Sequence, residues 1–138
     1  MADYNELWYM KVESIIFDRI KKKSSEYLKK YKDITFTSDE VVQAPTKFPC
    51  VEIREIGGEE VGQTFEGDAV CGYRSTFQVT VYHNSSKQIA RDVMEEIVSH
   101  FKQDLKFDLV AMPIHSYNGQ IHTYIARCRR VIGAGDKI

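Results

Sequence analysis

The stretch Tyr73–Phe101, YRSTFQVTVYHNSSKQIARDVMEEIVSHF, contains two hydrophobic periods in succession. Its first part alternates apolar and polar residues, which is typical of a strand with one buried face. Its second part repeats apolar residues about every four positions, which is typical of an amphipathic helix. The apolar positions are Tyr73, Phe77, Val79 and Val81 in the strand, and Ile89, Val93, Ile97 and Phe101 in the helix. Because each element has one apolar side, the two are expected to pack together as the centre of the fold.

A polar turn, Asn84-Ser85-Ser86, separates the strand from the helix. Ser85 precedes Gln88 by three residues, which is the spacing of a capping box. The sequence therefore predicts Ser85 as the N-cap of a helix over residues 86–104.

The whole chain has the composition of an ordinary folded protein. It has 138 residues, of which 43% are hydrophobic and 28% charged, and a formal net charge of −1. These values predict a single domain over residues 1–138 and exclude a global field that would attract nucleic acid or a membrane. No signal peptide or membrane-spanning run is apparent, and the three unpaired-looking cysteines predict reduced thiols in a reducing aqueous compartment.

The remaining pattern predicts the other elements of the fold. We expect a long helix over residues 4–31, which Lys21–Ser25 interrupts with five polar residues. Residues 57–69 are rich in glycine and acidic residues without a period, so they predict a flexible excursion or a long hairpin. Strands are predicted at about 34–37, 49–56 and 70–83, a hairpin at 109–131, and a flexible tail at 133–138. The prediction is an α+β domain with an antiparallel, possibly mixed, sheet of four to five strands and two helices packed on it.

Asn118-Gly119 is a strong hairpin signal, because a type I′ turn needs positive φ at both central residues. A two-residue turn would pair Tyr117 with Gln120. His115 would then face His122, and Leu109 would face Cys128.

Both faces of this hairpin carry apolar residues, whereas a sheet covered on one side should be polar on the other. Either the first helix covers the second face, or another subunit does. The predicted subunit interface consists of Val110, Met112, Ile114, Ile121, Ile125, Arg127, Arg129 and Arg130. An acidic assembly loop with Glu59, Glu60, Glu66 and Asp68 is the candidate partner of these arginines, in the same chain or in a neighbour.

No catalytic motif, cofactor motif or metal-ligand spacing is recognisable, so the sequence predicts a protein that is not an enzyme. His115 and His122 could reach one metal, but two ligands do not make a zinc site. The basic stretch Lys21–Lys32 is either a solvated helix face or a contact to nucleic acid.

The order of elements resembles the tail terminator proteins of long-tailed bacteriophages and prophages, also called tail completion or head–tail joining proteins. The resemblance covers most of the chain. It rests on the long N-terminal helix, on the strands Phe48–Ile53 and Phe77–Tyr82, on the helix Ala90–Ile97 and on the final strand Ile121–Arg127.

The resemblance implies a structural virion protein of the tail or neck, made in the host bacterial cytoplasm. Such a protein forms a ring, expected to be a hexamer, that ends the tail tube and offers a surface to the head connector or stopper protein. DNA would pass through the ring without specific binding, and neither a cofactor nor a membrane is implied. A stopper or adaptor protein of the neck is the alternative within this class, and a small nucleic-acid-binding module using Lys21–Lys32 is the alternative outside it.

Overall fold

The computed structural model describes residues 8–41, 43–62, 72–133 and 136. A 3₁₀ turn, Trp8–Lys11, leads into the first helix. The elements that follow are α1 (Val12–Leu28), β1 (Thr35–Thr37), β2 (Cys50–Val61), β3 (Gly72–His83), α2 (Lys87–Gln103), β4 (Asp108–Tyr117) and β5 (His122–Gly133).

The strands form one five-stranded mixed sheet in the order β1-β2-β3-β5-β4. β1 runs parallel to β2, and the other three pairs are antiparallel. Together with the two helices, this confirms the predicted α+β fold with a mixed sheet.

The strand and helix of the opening stretch do form the centre of the core. β3 is the middle strand, and its residues Phe77, Val79 and Val81 are fully buried in the same cluster as the apolar stripe of α2. The ring centroids of Phe77 and Phe101 are 5.7 Å apart, and Phe107 stands edge-on to both rings. Edge-to-face aromatic pairs add about 0.5–1.5 kcal/mol beyond the burial of their area, so this triad fixes α2 on the sheet.

The first helix continues through the polar run that we expected to interrupt it. Val12, Ile16, Ile20 and Leu28 are buried at four-residue intervals, and Ser24 occupies the remaining position of that stripe. The Ser24 hydroxyl donates to the Ile20 carbonyl at 2.7 Å, so its burial leaves no unsatisfied polar group. The helix ends at Leu28, three residues earlier than predicted, and the predicted residues 4–7 lie outside the described part of the chain.

Of the two predictions for residues 57–69, the long hairpin is correct and the flexible excursion is wrong for residues 57–61, which are strand. β2 continues to Val61 and pairs with β3 as far as Val61 opposite Gly72, with a bulge between Glu55 and Gly57. Two adjacent glycines and this bulge interrupt the alternating pattern of side chains. The sequence pattern therefore does not predict this part of the strand, although its backbone hydrogen bonds to β3 continue. At the same end of the sheet, β5 includes Gly133, which pairs with Gly72 and which we predicted as tail.

The N-cap of α2 is Ser86 and not Ser85. The Ser86 hydroxyl accepts a hydrogen bond from the backbone N–H of Ile89 at 3.1 Å. Gln88, which the predicted capping box required, instead donates to Asp92 at 2.8 Å and accepts from Arg91. The backbone N–H groups of both serines are held by the side chain of His83, which sequence reasoning did not assign.

The assignment of Ser86 as the N-cap of α2 can be tested with a matched control. Ser86→Ala should lower the free energy of unfolding by about 0.5–2 kcal/mol, because it removes the cap of α2. Ser85→Ala removes the hydroxyl group of the neighbouring serine and should change the free energy of unfolding by less than about 0.5 kcal/mol. Urea denaturation followed by circular dichroism measures both, and a larger loss for Ser85→Ala would contradict the assignment.

Candidate subunit interface

The two faces of the sheet have different neighbours. α1 and α2 both bury their apolar stripes in one cluster with Val51, Phe77 and Ala126, so both helices cover the same face. The helices leave the opposite face, here called the open face, uncovered. Of the two alternatives from the sequence, coverage of that face by the first helix is therefore wrong.

A segment of the chain covers one part of the open face. This strap comprises residues 38–41 and 43–49, between β1 and β2. The backbone N–H of Val41 donates to the Glu52 carboxylate at 2.9 Å, and only 3% of Glu52 is exposed. Further along, the strap and the hairpin line a shallow groove, which is bounded by Val41, Gln43, Ala44, Pro45, Tyr82, Asn118, Ile121 and Thr123.

The rest of the open face presents apolar side chains to solvent. The apolar patch consists of Val110, Met112 and Ile114 from β4 and Ile125 from β5, and Met112 and Ile114 are 66% and 68% exposed. Ile114 and Ile125 are direct cross-strand partners, so these residues are contiguous across two strands. Contiguous exposed apolar surface of this kind marks an interaction site more often than a solvated face.

The other predicted interface residues fall into three places. Ile121 is half-buried at the strap, so it belongs to the border of the patch. Arg127 and Arg129 are exposed on the open face, where Arg127 Nε donates to Gln78 at 3.1 Å. Arg130 is turned away from this face. It donates to the Leu105 carbonyl at 2.7 Å and so ties β5 to the end of α2.

The predicted acidic partner of these arginines is only partly described. Glu59 forms an ion pair with Arg74 of the neighbouring strand, and Glu60 is exposed opposite Tyr73. Glu66 and Asp68 lie outside the described residues. Within the described ranges, neither Arg127 nor Arg129 forms an ion pair with a carboxylate, so the arginines beside the patch have no acidic partner there.

The register at the hairpin tip differs from the prediction by two residues. Tyr117 pairs with His122 and His115 with Tyr124. The Asn118 side chain accepts from the backbone N–H groups of Gln120 and Ile121, and only Gly119 has a positive φ, so the loop is wider than a type I′ turn. Two register shifts in β4 absorb the difference, and Leu109 faces Cys128 as predicted.

Three histidines lie together at this tip, on the side of α2. His115 Nε2 is 2.9 Å from His122 Nδ1, as the sequence suggested, and His122 is the cross-strand partner of His83. His83 Nδ1 accepts the N–H groups of Ser85 and Ser86 at 3.1 and 3.0 Å, so this nitrogen carries no proton. No group of three metal-ligating side chains that could hold an ion occurs in the described ranges.

The basic stretch is exposed at the end of α1. Lys21, Lys22 and Lys23 are all exposed, and Lys21 points to a different side of the helix from Lys23, because consecutive helical residues point about 100° apart. Just beyond the helix, Lys29 is paired with Glu26, and Lys30 lies 4.2 Å from the centre of the Tyr27 ring. Two of these charges therefore already have contacts within the chain.

Comparisons with known proteins leave the family open. A scan against protein-family models gives no match, and a search of curated protein sequences gives no significant match either. Neither helix of the described chain combines the length and apolar character needed to cross a bilayer.

The histidine cluster predicts how stability depends on pH. Burial, and then the nearby His122, lower the pKa of His83, and burial, Lys87 and His122 lower the pKa of His115. A lowered pKa means that the folded state prefers the neutral ring, so this stability is present above the unfolded pKa of about 6.5 and is lost as the pH falls below it. The free energy of unfolding should therefore decrease between about pH 7.5 and about pH 5.5.

Urea denaturation at several pH values measures this dependence. His83→Asn keeps a side-chain acceptor but cannot gain the proton, so its stability should fall less steeply over the same range. His100→Asn, at the other end of α2, is the control and should keep the slope contributed by His83. Equal slopes for wild type and His83→Asn would contradict the role assigned to His83.

Proposed function

We propose that this protein is a ring-forming structural component of a bacteriophage tail, acting as the tail terminator that ends the tail tube and meets the head connector. The observation that carries the proposal is the exposed apolar patch on the open face. An isolated subunit leaves this apolar surface exposed to water, whereas a subunit in an assembly buries it. The resemblance to tail terminators supplies the kind of assembly.

The architecture supports a structural role in a second way. The helices and the core lie on one side of the sheet, so the open face can be buried against another molecule without rearranging the subunit. Burying about 800 Å² per partner is typical of a stable specific interface, and the patch with its flanking arginines would form the apolar centre and charged border of such a contact.

The decisive experiment measures association with tail tubes. Purified protein is mixed with isolated tubes, the tubes are sedimented, and the bound protein is located by electron microscopy. Binding at one end of each tube, with longer tubes when the protein is omitted from assembly, is the expected result. A protein that never associates with tubes would contradict the proposal, whereas a monomer in solution would not, because some components assemble only on the tube.

The same preparation separates the alternatives. A neck stopper or adaptor would bind the head connector and leave free tube ends uncovered. A nucleic-acid-binding module would retain DNA in a salt-dependent manner, and changing Lys21, Lys22 and Lys23 to glutamate would abolish that retention.

A single charge in the apolar patch tests the interface directly. Ile114→Asp should leave the melting temperature of the isolated subunit within a few degrees of wild type, because the side chain is exposed. It should weaken the association between subunits at least tenfold, because the interface would bury a carboxylate without a partner. Gln120→Asp adds the same charge at the exposed hairpin tip and should associate like wild type. If Ile114→Asp unfolds the isolated subunit instead, this face belongs to the core.

A further inference from the structure

The side of the molecule opposite the open face carries an acidic groove. It lies between α1 and α2 and is bounded by Tyr27, Asp92, Glu95, Glu96 and Ser99. Tyr27 is 48% exposed and supplies an apolar wall. Within the described chain, Asp92 accepts from Gln88 and Glu96 contacts His100 at 2.6 Å, while Glu95 is exposed without such a contact.

Lys30 lies beside this groove, with its ammonium group 4.2 Å from the centre of the Tyr27 ring. Three carboxylates, Asp92, Glu95 and Glu96, line the groove and make it acidic. It therefore offers an aromatic ring and carboxylates, where the open face offers an apolar patch and two arginines without acidic partners.

From this complementarity we infer that copies of this chain associate head to tail, with the open face of one copy on the acidic groove of the next. The apolar patch would cover Tyr27, and Arg127 and Arg129 would pair with Asp92 and Glu95. Arginine suits this arrangement because its guanidinium group binds carboxylates in a bidentate manner. The inference rests on the proposed ring-forming function and names the two surfaces that would make the ring.

A contact between two open faces is less favourable on the same observations. It would bring two pairs of arginines to one interface, and of the acidic residues there, Glu52 is buried and Glu59 is held by Arg74. Asp108, the cross-strand partner of Arg129, would remain as the main acceptor. Two different surfaces on opposite sides of a subunit make a heterologous contact, which closes into a ring when its rotation permits.

A pair of charge-reversal variants tests this arrangement. The first, Arg127→Glu with Arg129→Glu, makes the open face acidic. The second, Asp92→Lys with Glu95→Lys, makes the groove basic. Neither variant should self-associate, because each then opposes like charges, whereas an equimolar mixture should assemble with alternating copies. Lys102→Glu with Lys106→Glu makes the same charge change as the first variant outside both surfaces and should associate like wild type.

Sedimentation velocity over the full accessible concentration range measures association, and circular dichroism verifies that each variant is folded. Assembly of the mixture but of neither variant alone would support the head-to-tail contact. Self-association of the groove variant, whose open face is intact, would overturn it in favour of a contact between open faces. The inferred contact is one between free copies in solution, so a wild-type protein that stays monomeric, or a mixture that fails to assemble, would also overturn it. Binding to tail tubes is measured in a separate experiment. A failure of the head-to-tail contact can therefore be distinguished from a failure of the proposed function.

Discussion

The contact between β3 and α2 is the interaction on which the other features depend. The rings of Phe77, Phe101 and Phe107 meet at the middle strand and hold the helix across it. α1 then packs along α2, so both helices are committed to one side of the sheet. The surface on the opposite side follows from this arrangement, because neither helix of the described residues covers it.

Two connections of the chain donate backbone hydrogen bonds to side chains of the sheet. The strap places the backbone N–H of Val41 on the buried carboxylate of Glu52, which the Arg54 side chain also approaches at 3.5 Å. His83 closes the backbone N–H groups at the start of α2, so a strand residue completes the cap of a helix. Neither contact reaches the apolar patch of Val110, Met112, Ile114 and Ile125, which stays exposed on β4 and β5.

The sequence predicts the fold best where one pattern decides the structure. The alternation around Phe77 and the four-residue stripe ending at Phe101 place β3 and α2 correctly. Prediction is wrong where a side chain forms a hydrogen bond with the backbone. Ser24 donates its hydroxyl to the Ile20 carbonyl and so can be buried in α1. The Asn118 side chain accepts from two backbone N–H groups and so widens a turn that the Asn-Gly sequence predicts to be tight.

The candidate interface divides in the same way. The sequence shows that the hairpin has two apolar faces, but it leaves open whether the first helix covers the second face. The exposure of Ile114 and Met112 follows only from the placement of both helices on the other side of the sheet. The inward turn of Arg130 could not be predicted, because it depends on a carbonyl at Leu105, 25 residues away. Nor could the acidic groove, since its wall Tyr27 comes from one helix and its carboxylates from the other.

Both outer strands of the sheet are poor templates for another strand. β4 contains Pro113, which has no N–H to donate, and two irregularities in its pairing, while β1 has only three residues. A neighbouring copy therefore cannot readily extend the sheet through backbone hydrogen bonds, which carry little sequence discrimination and favour amyloid-like growth. Recognition of another molecule by this sheet is therefore left to the side chains on its faces.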